Sequence, residues 1–230
     1  MSLFMVDSAS PANAEVQPGL SLFDDVVAWA GAPPAAWGRY LGDGYGAAVP
    51  LSASEAGYLR SSRGCPILPI YNLATSGGVG GDYAQGQADA SRAIQLAKAL
   101  DVPAGVYIAC DIEAGWQVSA PWLNGWADTM RASTFAGSGI LYGSLGGPGL
   151  AHTLLCALGN PNVQRLLLWA ATPETGPSTS WNMPAWNPDA PSPQTAGMVR
   201  LWQYSRGDYG GWVDLNQLDA SLLGAGLWMP

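Results

Sequence analysis

Short apolar runs alternate with segments of helical spacing along almost the whole chain, and most runs end in a polar, acidic or aromatic residue. The runs cover residues 3–7, 37–41, 66–71, 105–111, 139–142, 166–171, 199–204 and 212–215. They are continuous rather than alternating, which is the pattern of strands covered on both faces. Strands that take turns with helices argue for parallel βα units. Neither a dinucleotide-type Gly-x-Gly-x-x-Gly fingerprint nor a Walker-type loop follows the first strand. The glycine-rich stretch Gly77-Gly-Val-Gly-Gly81 lacks the lysine of a phosphate cradle and reads as a flexible loop. A closed barrel therefore fits better than an open nucleotide-binding sheet. The expected fold is α/β, a TIM-like (β/α) barrel, with residues 1–230 forming a single domain.

Local signals place the helices. Ser52-Ala-Ser-Glu55 has the form of a capping box, in which Ser52 accepts from the backbone and Glu55 reaches back, and Gly64 is placed to close that segment. Asp82 opens a long helix to about residue 100, with Ala90, Ala93, Ala97 and Leu100 on one face. Ser119 caps another, to about residue 131. The stretch 172–198 carries six prolines together with Trp181 and Trp186 and shows no periodicity. Loops of this length in compact domains tend to be functional lids.

Composition removes several function classes. Apolar residues make up 48% of the 230 and charged residues 11%, so disorder is not expected. Runs such as Arg165-Leu-Leu-Leu-Trp-Ala-Ala171 are far short of the ~20 residues that span a bilayer. A net charge of −8 does not attract phosphate backbones, so nucleic acid is not an expected partner. Cys65, Cys110 and Cys156 form no Cys-x-x-Cys pair, and His152 is the single histidine. A zinc ribbon, a histidine-rich metal site and a Ser-His-Asp triad are thereby disfavoured, and no metal or cofactor is implied. One disulfide stays open. His152 reads as structural, and its i, i+4 spacing to Cys156 as coincidence. The start, Met1-Ser-Leu-Phe-Met-Val-Asp7, has no basic region and reads as a strand rather than a signal peptide.

Barrel enzymes carry their chemistry at the carboxyl ends of the strands. The run ends supply Asp7, Tyr71, Asp111 with Glu113, Tyr142, Trp169, Gln203 with Tyr204, and Asp214. Carboxylates for proton transfer beside aromatic faces for CH surfaces suit a sugar-cleaving site. The sharpest feature is Asp111-Ile-Glu113, because residues i and i+2 of a strand share a face about 6.5–7 Å apart. Two carboxylates that close repel one another and one of them holds its proton longer, which would let Glu113 act as a general acid. Asp7 reads equally as a helix cap, and Asp214 as the closure of a turn. Tyr71, Tyr142, Trp169, Gln203, Tyr204, Trp181 and Trp186 are the candidate substrate contacts.

Six segments in order carry a resemblance: Arg39-Tyr-Leu-Gly42, Leu51-Ser-Ala-Ser-Glu-Ala56, Ile67-Leu-Pro-Ile-Tyr71, Gly105-Val-Tyr-Ile-Ala-Cys-Asp111, Leu201-Trp-Gln-Tyr204 and Val213-Asp-Leu-Asn216. Together they resemble the glycoside-hydrolase-like domain-of-unknown-function family 1906, which is related to the family 25 lysozymes. The likeness runs from Phe4 to about Leu218. It implies a barrel acting on bacterial cell-wall glycan such as peptidoglycan, in the manner of an N-acetylmuramidase. Glu113 then corresponds to the general acid and Asp111 to its partner, with Asp7 and Asp214 as the first-strand and late aspartates. The substrate's own N-acetyl group would be the nucleophile, oriented by Asp111 or Asp214. The lysozymes carry a further acid after their second strand, where this chain reads Arg39-Tyr-Leu-Gly-Asp-Gly44, and Asp43 is the nearest replacement. The implied setting is extracellular or cell-wall-associated, with a phage particle or the cytoplasm as alternatives.

Two other readings stand beside this one. A chitinase-like hydrolase also uses an Asp-x-Glu pair after the fourth strand, but with another aspartate two residues earlier, where this chain has Ala109. A non-catalytic glycan-binding barrel would keep the aromatics and lose turnover.

Overall fold

A computed structural model describes residues 1–44, 48–146, 149–175, 183–224 and 226–230. In chain order the elements are β1 (Ser2–Ser8), β2 (Glu15–Gln17), β3 (Leu20–Ser21), α1 (Leu22–Ala30), β4 (Trp37–Tyr40), α2 (Ala53–Gly57), β5 (Ile67–Tyr71), α3 (Ser76–Val79), α4 (Tyr83–Ala99), β6 (Ala109–Asp111), α5 (Ala120–Ala132), β7 (Ile140–Gly143), α6 (Leu150–Ala157), β8 (Leu167–Ala170), β9 (Val199–Gly207) and β10 (Val213–Asp219). Eight strands close a barrel in the order β1-β10-β9-β8-β7-β6-β5-β4, and β2 with β3 forms a separate two-stranded ribbon.

The barrel is TIM-like with one exception to the parallel expectation. From β4 to β9 every neighbour is parallel, as is β1 with β4, but β10 runs antiparallel to both β9 and β1. The chain turns back after β9 through a tight hairpin whose connection, Asp208–Gly211, is a single short turn broken by the left-handed Tyr209 and Gly210, so no crossover helix separates the last two strands.

Helix starts follow the capping chemistry. Ser21, Ser52, Thr75, Asp82 and Ser119 each accept a backbone N–H from the first turn that follows. Thr75 makes the glycine-rich stretch begin as a short helix, α3, rather than the flexible loop its composition suggests. Ser52 caps as expected, but Glu55 does not complete the box. Its carboxylate accepts from Arg39 at 2.6 Å and from the Ala12 N–H at 2.8 Å, a buried ion pair outside the barrel wall. α4 and α5 pack backbone to backbone, and glycines make that possible. A Cβ on Gly86 would lie 2.0 Å from the Trp122 carbonyl, and one on Gly125 would lie 2.1 Å from that of Tyr83.

The core has two parts, separated by the barrel wall. Met5, Leu68, Ile70, Ala109, Ile140, Trp169, Leu201 and Leu218 fill the interior. Val6, Trp37, Ile67, Tyr71, Cys110, Leu141, Leu168, Trp202 and Leu215 pack outward against the helices and loops. Successive residues of each strand therefore alternate between the two cores, with the period of two that a pleated strand imposes. All three cysteines are free thiols. No helix among the described residues is long and apolar enough to cross a membrane.

Candidate active site

Interior parity decides which run ends meet. Asp7 shares the face of Met5, Asp111 that of Ala109, Tyr142 that of Ile140, and Gln203 that of Leu201. These side chains, with Tyr40, Ile70, Glu113, Trp169, Arg206 and Asp214, line one cavity of about 190 Å³ at the carboxyl end of the parallel strands. Because β10 is antiparallel, Asp214 reaches the same end from the beginning of its strand, paired in register with Asp7. A second hollow of about 180 Å³ continues from the first past Glu113, Tyr142 and Arg206, towards Ser144, Thr172 and Glu174. Arg206 is held there by Glu174 at 2.6 Å.

Two amides organise the deeper acids. Asn216 donates to Oδ2 of Asp7 at 2.7 Å, and its own Oδ1 accepts the Trp169 indole N–H at 2.9 Å. Gln203 donates to Oδ2 of Asp7 at 3.4 Å and to Oδ2 of Asp214 at 3.2 Å, while its Oε1 accepts the Tyr142 hydroxyl at 2.6 Å. Asp214 also accepts the Gly207 backbone N–H at 2.7 Å, so the turn closure foreseen for it coexists with its place in the cavity. Tyr142 meets Trp169 edge-on, with ring centroids 5.1 Å apart.

Crowding acids into a shielded cavity raises their proton affinity. Burial pushes the Asp7 carboxyl well above the usual carboxylate range, reinforced by the charges of Asp214 and Asp111 and opposed by the Asn216 and Gln203 N–H groups. Asp111 is pushed up to about 7, first by burial and then by Glu113 and Asp214. Its Oδ1 is buried and has no hydrogen-bond partner among the described residues. Asp214 is pushed up to about 6 by burial, against the pull of the Gly207 N–H and of Arg206. The phenols of Tyr40 and Tyr142 are held neutral, by burial first and then by the same carboxylates. The more buried member of the Asp-x-Glu pair is Asp111, and Glu113 is the one exposed to solvent.

Three of the expected substrate contacts lie elsewhere. Tyr71 has the opposite parity from Ile70. Its ring packs outside the barrel against Trp126 and its hydroxyl donates to Asp89 at 3.3 Å. Tyr204 likewise faces outward, packed against Trp202. Trp186 packs edge-on against Trp202 and lines a hollow with Met1, Ser2 and Asp219, at the far end of β1 from Asp7. Trp181 lies outside the described residues. Asp43 is exposed and does not line the cavity. His152 and Cys156 face each other at 3.5 Å on the exposed side of α6, away from the acids. Sequence reasoning missed Tyr40, Arg206 and Asn216. Tyr40 could have been found from strand parity, since it lies one residue before the end of the second run and carries a polar tip.

A family model described as Rv2525c-like, glycoside hydrolase-like domain matches residues 27–218. The chain belongs to this family. Among solved structures, this Rv2525c-like domain is similar to an uncharacterised Bacillus stearothermophilus protein, with 28% identity, 96% of this chain and 98% of that one covered, and a TM-score of 0.84. It shares its fold with the Tat-secreted protein Rv2525c of Mycobacterium tuberculosis at 19% identity, with 98% of each chain covered and a TM-score of 0.63. The spore cortex lytic enzyme SleM of Clostridium perfringens shares the fold at 15% identity, with 98% of this chain and 69% of that chain covered and a TM-score of 0.60. A search of curated proteins finds no match.

Proposed function

We propose that this protein is a glycoside hydrolase of bacterial cell-wall glycan, cleaving at an N-acetylated sugar with the help of the substrate's own acetamide. The observation that carries the reading is the convergence of Asp7, Asp111, Glu113 and Asp214 from β1, the end of β6 and β10 on one cavity walled by Tyr142 and Trp169. Glu113, at the open side where a glycosidic oxygen can approach, donates the proton to the leaving sugar. Asp111 in its ionised form orients the acetamide N–H with the oxygen that lacks a partner among the described residues, and stabilises the positive charge that develops on the acetamide as its carbonyl oxygen attacks the anomeric carbon and the leaving sugar departs. Asp7, the most deeply buried of the four, and Asp214 complete the negative field for an oxocarbenium-like transition state. Tyr142 and Trp169 offer edges and faces to the sugar ring. A spore cortex lytic enzyme and a Tat-secreted protein share the fold, which supports a cell-wall substrate and a setting outside the cytoplasm.

The test is release of reducing ends and loss of turbidity from purified cell walls, with chitin as the alternative substrate. Wild-type protein is expected to clear cell walls and Glu113→Gln not to. Equal glycan binding by the two, with no cleavage by either, would replace this reading with that of a binding module.

A further inference from the structure

The amides beside Asp7 are locked in one polarity. An indole N–H can only donate, so Trp169 forces Asn216 to present Oδ1 to it and its NH₂ to Asp7. Gln203 is fixed from both sides. If its amide were reversed while the acids are ionised, Oε1 would face the Oδ2 atoms of Asp7 and Asp214, three oxygens with no hydrogen between them. In the observed sense Oε1 takes the Tyr142 hydroxyl and both amide hydrogens are used on the acids. Gln203 is 2% exposed and Asn216 is fully buried. Neither has hydrogen-bonding capacity directed at a ligand in this arrangement.

We infer that Gln203 and Asn216 are positioning residues, locked by Tyr142 and Trp169, that hold Oδ2 of Asp7 as a proton-free acceptor and leave Oδ1 as the oxygen that binds and releases the proton of Asp7. Tyr142 then acts through Gln203 on the Asp7–Asp214 pair, besides walling the cavity. The inference rests on the hydrolase reading only for the reaction these acids serve. The other charged or titratable groups around the pair are Asp111 at the end of β6 and Glu113 just past it, Tyr40 on β4, Arg206 on β9, Asp208 in the hairpin and Glu174 in the loop after β8. None of them supplies a donor to Oδ2 of Asp7 among the described hydrogen bonds.

The experiment is a carboxyl ¹³C titration of the glycan-free protein, wild type against Gln203→Met, Tyr142→Phe and the double variant. Each is checked for folding by its thermal melt. Removing donors from an ionised carboxylate favours its protonated form, so the Asp7 midpoint is expected to rise in Gln203→Met by about half a pH unit or more. Tyr142→Phe keeps the ring and frees the amide, and a smaller rise in the same direction is expected. The double variant is expected to rise no further than Gln203→Met alone. Unchanged midpoints in both single variants overturn the inference, and so does a double variant that shifts by the sum of the two. If Gln203→Met fails to fold, Tyr142→Phe alone decides, and an unchanged midpoint there overturns the relay. Because no glycan is present, a failure here is distinct from a failure to cleave cell walls.

Discussion

The two ends of the barrel interior are built from the same strands and the same strand face, yet they follow opposite rules. Below, Met5, Leu68, Ile140, Leu201 and Leu218 fill the space with apolar volume and carry no polar atom needing a partner. Above, the interior strand face carries Asp7, Asp111, Tyr142 and Gln203, and Oδ1 of Asp111 is left buried without a hydrogen bond among the described residues. The lower layers stabilise the fold, whereas the upper layer is held in place at a cost. Such a division is the expected signature of a barrel whose chemistry sits at the carboxyl ends of its strands.

Four substitutions probe this contrast. The largest effect is expected from Glu113→Gln, which should lower glycan cleavage by about 10²–10⁴-fold, the usual contribution of a general acid. Its stability should stay within about 0.5 kcal/mol of wild type because the side chain is exposed. Loss of stability without loss of cleavage would reverse the roles assigned to the two ends. Leu201→Ala, in the fully buried lower layer, should cost about 2–5 kcal/mol and lower the melting temperature by about 5–15 °C.

Asp111→Asn should do the opposite and stabilise the protein. Its carboxyl is raised to about 7 in the folded state against 3.8 ordinarily, so the folded state binds the proton more tightly than the unfolded one. That contribution is present in full below about pH 4 and is lost as the pH rises towards 7. Wild-type stability should therefore fall across this window. Asp111→Asn should gain on the order of 2–4 kcal/mol over wild type at pH 8 and much less at pH 4, measured by denaturant melts at the two values. A gain independent of pH would show that desolvation of the charge is not the cause. The smallest effect is expected at Trp186, at the opposite end from the acids. Trp186→Ala should cost about 1 kcal/mol or less and leave glycan binding by isothermal titration unchanged. Weakened binding would extend the glycan site down the outside of the barrel.

Much of the ring was legible because a buried strand announces itself as an apolar run, and its last polar residue marks the rim. Parity was the part left unread. Tyr71 and Tyr204 end their runs just as Tyr142 does, but they fall one residue out of phase with the interior, and a single step in a strand turns a side chain to the other face. The antiparallel final strand also left a sign. The runs 199–204 and 212–215 stand too close together for a crossover helix, which takes a dozen or more residues, so only a hairpin can join them. Arg206 belongs to the end of that hairpin, past the apolar run, where no periodicity points to it. The mutual locking of Asn216 by Trp169 depends on three-dimensional register between β8 and β10, and no local pattern encodes it.

The seam between β1 and β10 has a consequence for synthesis on the ribosome. One of the two neighbours of β1 in the ring is made only some two hundred residues after β1 itself. Until then Asp7 has neither Asn216 nor Gln203 to hold it, and Asp214 does not yet exist. A chain made only as far as β9 thus has an open wall and lacks one of the four acids, and the cavity is complete only once β10 has joined the ring.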